Sequence, residues 1–398
     1  MSTDVHYNCI TPPFLLEKLL ESEDPEIREA AKSTLLTSAQ LRGERQITSG
    51  LSSLAVFAAP AAGAARSIYD AQHRETTHGA AQVRSESQPD VADPSVNHAF
   101  DGLGHTRAFY ADVLGRDSID GRGGQIDGYV HFGSKFNNAF WDGREMVFGD
   151  GDGRIFSDLA GSLDVVGHEL THGVTEAVAG LEYHLQSGAL NESISDVFGS
   201  LVKQYAANQK SDEADWLIGN DVFTPEFAGD ALRSLKAPGQ AYDNPTFGHD
   251  QQPAHMKDFL HLPDTQAGDW GGVHVNSGIP NHAFYLVATA LGGYAWETAG
   301  HIWFEALNAS RPDTDFEAFA TLTATKASQR YGASSTEVHA VTDAWGQVGI
   351  KVTAPKTHAA AAALVAADPA SGVAGQLDRL SAEIDELSKL VRSLKVPA

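Results

Sequence analysis

Two histidines four residues apart, with a glutamate beside the first, occur in the stretch His168-Glu169-Leu170-Thr171-His172. On a helix such residues share one face, so both imidazoles can reach one metal ion while Glu169 offers a proton acceptor near its water. Val166, Leu170 and Val174 supply an apolar face and Gly180 a stop, which makes the helix credible. Glu192 and Asp196 repeat the four-residue spacing in Asn191-Glu192-Ser193-Ile194-Ser195-Asp196, with Val197, Phe198, Leu201 and Val202 following. Two histidines and a glutamate form a catalytic zinc set with one open position, and Asp196 is placed to accept the second ring N–H of a ligand histidine. Taken singly, the histidine pair could be two buried, hydrogen-bonded rings and the carboxylate pair a solvated surface. Together they favour a metal.

The rest of the chain must position these groups. At 42% hydrophobic and 20% charged, 398 residues can bury a large core, enough for two or three domains. A formal charge of -24 repels phosphate backbones, so nucleic acid is not an expected partner. Cys9 is the single cysteine, which excludes an internal disulfide and a cysteine-built zinc module. No apolar run is long enough to span a membrane. Met1 to Cys9 contains no basic residue, and the apolar patch 12–16 is followed at once by Glu17 and Lys18. That is not a conventional secretory signal, so the expectation is a cytoplasmic protein or one exported by another route.

Residues 1–50 read as a small helical segment, with a leucine stripe at Leu15, Leu16, Leu19 and Leu20 and a second helix after Pro25. Residues 51–66 are a Ser, Ala and Gly-rich linker. Residues 67–163 read as strand-rich, with a helix near Ala99 to Val113. Helical periodicity dominates 164–352, an Ala-rich tether covers 353–375, and Leu377, Leu380, Ile384, Leu387, Val391 and Leu394 repeat in steps of three and four within 376–395. That last helix could dock on its own domain or join copies of the chain as a short coiled coil. Asp150-Gly151-Asp152-Gly153 reads as a turn rather than a calcium loop, lacking the distal glutamate of an EF-hand.

Nineteen residues separate His172 from Glu192. Four further stretches follow a recognisable order: Asn138-Ala139-Phe140-Trp141, Gly149-Asp150-Gly151-Asp152-Gly153, Gly229-Asp230-Ala231-Leu232-Arg233-Ser234, and Gly271-Gly272-Val273-His274-Val275-Asn276-Ser277-Gly278. With these motifs, residues 66–351 resemble the thermolysin family of zinc metalloendopeptidases. The resemblance implies an α+β fold of two lobes, strand-rich then helical, with the zinc site in the cleft between them. It implies His168, His172 and Glu192 as zinc ligands, and Glu169 as the general base of a zinc-activated water. Tyr183 and His274 match the donors to the oxyanion, and Asp269 the carboxylate that orients His274. Asn138, the Ala139 backbone and Arg233 match groups that grip the substrate main chain. Phe156, Leu159, Val165, Leu232 and Arg233 match the pocket for the side chain after the cleaved bond, implying cleavage on the N-terminal side of bulky apolar residues.

The Pro12-Pro13-Phe14-Leu15 stretch is similar to the Pro-Pro-x-Leu motif of the protealysin-like branch, whose propeptides are short. A zymogen follows, with its own propeptide as intramolecular inhibitor and peptides or proteins as substrates. Cys9 could then ligate zinc at the open position, or pack as a small apolar residue. The family's double calcium site is expected to be absent: Asp164 and Asp215 stand, but Lys203, Leu217 and Asn220 occupy the other positions, and an ammonium opposes a divalent cation. Two other function classes stay open: a catalytically silent zinc module that binds a partner in the cleft, and an assembly protein whose C-terminal helix delivers the protease.

Overall fold

The computed structural model describes residues 8–52, 66–227 and 230–352. The expected tether and C-terminal helix, and residues 53–65 of the expected linker, lie outside them. Among the described residues no helix is long and apolar enough to cross a membrane.

The N-terminal segment holds a two-residue strand, β1 (Asn8–Cys9), then helices α1 (Pro13–Leu19) and α2 (Pro25–Ser52). Pro12 caps α1 in an extended conformation and Pro13 opens it, since proline suits a first helical turn that has no backbone donor to satisfy. The leucine stripe expected there is buried at Leu15, Leu16 and Leu19, whereas Leu20 is exposed. The strand β1 has no signal in the sequence.

Next come β2 (Arg66–Asp70), β3 (Ala81–Ser85), α3 (Pro94–Leu114), β4 (Ile126–Val130), β5 (Ala139–Trp141) and β6 (Glu145–Phe148). They form one sheet in the order β1-β5-β6-β4-β2-β3. β1 pairs antiparallel with β5, placing Cys9 opposite Phe140. Side chains of a strand alternate between faces, and here the two faces feed different cores. Cys9, Phe140, Val147 and Tyr129 join a small cluster with Phe132 and Phe136. Ile10, Ala139, Trp141, Met146 and Phe148 join the main core.

One polar knot ties the strand-rich part together. His131 bonds Asp150 through Nδ1 and Asp93 through Nε2, each at 2.8 Å, and Asp93 also caps α3 by accepting from the Ser95 N–H. The hydrogen bond to Asp150, with Asp93 adding to it, outweighs partial burial and pushes the His131 pKa up to about 9. Unfolded, this histidine titrates near about 6.5, so the charged form favours the fold. Its stabilisation is complete below about pH 6.5 and disappears as pH rises through the folded value. Urea unfolding of wild type and His131→Asn should therefore differ most at pH 6 and converge by about pH 9.5; a gap that widens with pH would contradict this.

The chain continues through α4 (Leu163–Val178), α5 (Leu185–Ala207), β7 (Leu217–Ile218), β8 (Arg233–Ser234), β9 (Asp243–Asn244), β10 (Gly248–His249), α6 (Asp269–Asn276), α7 (Gly278–Leu291), α8 (Ala299–Leu307), α9 (Phe316–Tyr331) and α10 (Thr336–Gln347). Phe284, Trp303, Phe319 and Trp345 fill its core, with Trp303 and Trp345 stacked at 5.8 Å. Asp150-Gly151-Asp152-Gly153 is a turn whose Asp152 carboxylate receives the N–H groups of Arg154, Ile155 and Phe156.

Candidate metal centre and substrate cleft

The site exists because α4 and α5 can come very close. A Cβ built on Gly167 would lie 3.1 Å from Gly199 Cα, and one on Gly199 would collide with the Asp164 carbonyl. Two glycines facing each other thus allow two polar helix faces to share one buried space.

Into that space α4 sends His168, Glu169 and His172, and α5 sends Glu192; all four are fully buried. Ligand atoms of His168, His172 and Glu192 converge within 4.8 Å of one another, the one such group among the described residues. The two Nε2 atoms are 3.0 Å apart, and Glu192 lies 3.5 Å from His168 and 3.4 Å from His172.

The chemistry of these donors suits a cation. His168 Nδ1 meets Asp196 at 2.8 Å and His172 Nδ1 meets the Asn191 side-chain oxygen at 2.9 Å. Both acceptors favour a proton on Nδ1, which leaves Nε2 of each ring as the atom facing the shared space. Burial also pushes His172 down to about pKa 3, which keeps it neutral. Two Nε2 atoms at 3.0 Å beside a carboxylate oxygen of Glu192 that has no hydrogen-bond partner call for a cation between them.

Glu169 faces the same space. The Trp141 N–H donates to its Oε2 at 3.1 Å, while Oε1 has no hydrogen-bond partner. Burial, followed by the Glu192 charge, raises its pKa well above the usual carboxyl range; the Trp141 N–H, Arg233 and the Ile10 N–H act the other way.

His274 closes the third side from α6. Asp269, Trp270, Gly271 and Gly272 all have positive φ, the first two at 53° and 47°, in a region that costs non-glycine residues energy. That left-handed run curls the Asp269 carboxylate back onto the helix, where it accepts from the His274 N–H at 2.8 Å and meets its Nδ1 at 2.6 Å. Burial alone would lower the His274 pKa, but Glu192 and Asp269 carry it up to about 9. Its ring is therefore a donor at neutral pH, and Tyr183 lies beside it, bonded to Glu192 and 3.2 Å from its Nε2.

The N-terminal segment runs through this space. Ile10 N–H donates to the Ala139 carbonyl at 3.2 Å, and Arg233 Nη1 donates to the Ile10 carbonyl at 3.0 Å. Thr11 exchanges two bonds with the Asn138 side chain, at 3.0 and 3.4 Å. His274 Nε2 lies 3.1 Å from the Cys9 carbonyl. Ile10 is fully buried, in the same core as Phe156, Leu159, Val165 and Leu232.

Hydrogen bonds tie Tyr183, Asp269, His274, Asp196, Arg233, Asn138 and Ala139 to this space, while Phe156, Leu159, Val165 and Leu232 lie in the main core; of the two readings of Cys9, ligation and packing, the geometry favours packing. The thiol is not part of the ligand group; it points to the Thr11 carbonyl at 3.7 Å, and burial pushes its pKa up to about 12. Strand alternation is the reason: Cys9 shares the face of Phe140, leaving its carbonyl, not its sulfur, toward His274.

The sequence reading missed several supports. Asn191 and Ser195 hold His172, Asn281 bonds Asp196 at 2.8 Å, and the Trp141 backbone holds Glu169. Asn191 and Ser195 flank the ligand at helical spacing and could have been inferred. Asn281 is 85 residues from Asp196 and carried no signal.

Comparison with known proteins agrees with this geometry. Residues 57–176 match the thermolysin metallopeptidase catalytic domain, and residues 179–350 its alpha-helical domain. An extracellular metalloprotease of Pectobacterium carotovorum subsp. carotovorum is 44% identical over 345 residues, 86% of this chain and 96% of that protein. Protease PrtS of Photorhabdus sp. (strain Az29) is 49% identical over 72% of this chain and 76% of its own. Among solved structures, the precursor of protealysin, a metalloproteinase from Serratia proteamaculans, superposes with a TM-score of 0.77 at 46% identity, covering 86% of this chain and 99% of that one. With the α+β fold, the ligand group and two domain matches in agreement, the chain belongs to the thermolysin family and is a metalloendopeptidase, a membership that implies zinc.

Proposed function

We propose that the protein is a zinc endopeptidase made as a zymogen, cutting peptides on the N-terminal side of bulky apolar residues. The observation that carries this is the convergence of His168, His172 and Glu192 beside a buried carboxylate, Glu169, with a free oxygen. Zinc, when bound, supplies a Lewis acid that polarises the carbonyl and makes a water acidic enough to lose a proton near neutral pH. Glu169 takes that proton and delivers it to the leaving nitrogen. His274 and Tyr183 donate to the carbonyl oxygen as it gains charge, with Asp269 holding His274 in place. Arg233, Asn138 and the Ala139 carbonyl align the main chain, and Asp196 fixes the His168 tautomer.

A quenched peptide with Gly-Leu at its centre tests the reading. Cleavage before Leu that stops with 1,10-phenanthroline and returns with added zinc is expected. A zinc-loaded chain free of its N-terminal segment that leaves this peptide intact would favour the silent binding module instead.

We also propose that the double calcium site is absent. Supporting this, Lys203 Nζ bonds Asp164 at 3.0 Å, Asp215 at 3.0 Å and Asn220 at 2.8 Å, so an ammonium already neutralises those carboxylates. Those carboxylates, with Asp215 bonding Lys203 directly, raise the lysine pKa against burial. The melting temperature should be the same in calcium and in EGTA at constant zinc. A site filled at 100 times its dissociation constant would instead add about 2.7 kcal/mol.

A further inference from the structure

The N-terminal segment does more than cover the cleft: its backbone runs in the direction and register of a substrate. Each group that grips a substrate main chain in the reading above has a partner in it. Ile10 offers its N–H to Ala139 and its carbonyl to Arg233, as the residue after the cleaved bond would. Its side chain is fully buried in the main core, the same core that holds Phe156, Leu159, Val165 and Leu232. One residue on, Thr11 uses both polar atoms of Asn138. One residue back, the Cys9 carbonyl faces His274 at 3.1 Å, where a scissile carbonyl would meet its donor. β1 adds this segment to the sheet edge at β5, the usual way an extended peptide is held.

We propose that Cys9–Ile10 is the bond presented for hydrolysis, and that the zymogen's first cut is made there, within its own chain. Water adds across this bond: hydroxyl goes to the Cys9 carbonyl carbon, a proton goes to the Ile10 nitrogen, and the C–N bond breaks. The products are a carboxylate at Cys9 and an amine at Ile10, which becomes an ammonium in neutral water. The linker cut that frees the enzyme comes second. The inference rests on the peptidase reading above.

The test follows the zinc-loaded full-length chain by intact mass and N-terminal sequencing, with the quenched peptide present. A species beginning at Ile10 should appear before any that lacks about 50 residues, at a rate independent of protein concentration, as a step within one chain requires. Ile10→Asp would put a charge into an apolar pocket and should slow that cut at least about 100-fold, whereas Ile10→Leu should stay within about 10-fold. A readout free of turnover uses the Glu169→Gln chain. Amide hydrogen exchange at Ile10 and Thr11 should be strongly protected, and Ile10→Asp should remove the protection locally while the α4 and α5 amides stay protected, which shows the variant folded. Cleavage of the quenched peptide and loss of the N-terminal segment, with no Ile10 terminus at any time, would overturn the inference and leave the peptidase reading intact. If zinc is bound and the quenched peptide is never cut, even after the segment is trimmed away, the peptidase reading fails and this inference falls with it.

Discussion

Glu169→Gln should lower kcat on the quenched peptide by about 10³-fold, the scale of a lost general base, while zinc content stays at the wild-type value. The amide has nearly the shape of the carboxylate, and its oxygen can still accept from the Trp141 N–H. What it lacks is the ability to take a proton. The other buried carboxylates described around the site are already engaged: Glu192 with the ligand group and Tyr183, Asp269 with His274, and Asp196 with His168 and Arg233. The same substitution should keep the precursor at full mass, since processing relies on the same proton acceptor. His168→Ala is the contrasting control, losing zinc and activity together. More than a tenth of wild-type kcat in Glu169→Gln would show that the proton has another acceptor.

The second large effect is on stability. Asp196 carries a charge in a fully buried position, where burial opposes it and Arg233 and His168 more than compensate, holding its carboxyl far below the usual range. It accepts from Arg233 Nε at 2.8 Å and Nη2 at 2.9 Å, from Asn281 at 2.8 Å, and from the His168 ring. Asp196→Ala would leave the Arg233 guanidinium, itself buried, with the Ile10 carbonyl as its remaining bond shown here. Stranding one member of a buried ion pair costs about 3 to 5 kcal/mol, to be read as a lower midpoint in denaturant unfolding. Zinc affinity should fall as well, by about 10- to 100-fold, because His168 loses the partner that fixes its tautomer. A loss of metal affinity without a stability change would mean that solvent reaches Arg233 and solvates it.

Both effects concern residues that the sequence announced. His168, Glu169 and His172 share a face because a helix returns every fourth residue to the same side, and Glu192 with Asp196 does the same one helix later. Local periodicity therefore determines which side chains lie together on one element, and that part was legible in full. The leucine stripe of α1 was legible for the same reason at Leu15, Leu16 and Leu19, though not at Leu20, whereas Lys203 beside Asp164 and Asp215 was implied by the family resemblance and not by spacing.

Contacts between distant segments were decided only by the tertiary structure. Asn281 reaches Asp196 from α7, and the Trp141 backbone reaches Glu169 from β5, with nothing in the intervening chain to signal either. β1 is the clearest case. Two residues have no periodicity to read, and Asn8–Cys9 becomes a strand because β5 offers it an unpaired edge. Register on that edge then chooses which face each side chain takes, and so turns the Cys9 sulfur away from the metal group and sends Ile10 into the main core. A one-residue slip would exchange the two. The sequence by itself determined the reagents and the helices that carry them. The pairing of β1 with β5, which joins Asn8 to Trp141 and Cys9 to Phe140 across a long stretch of chain, decided which bond lies before them.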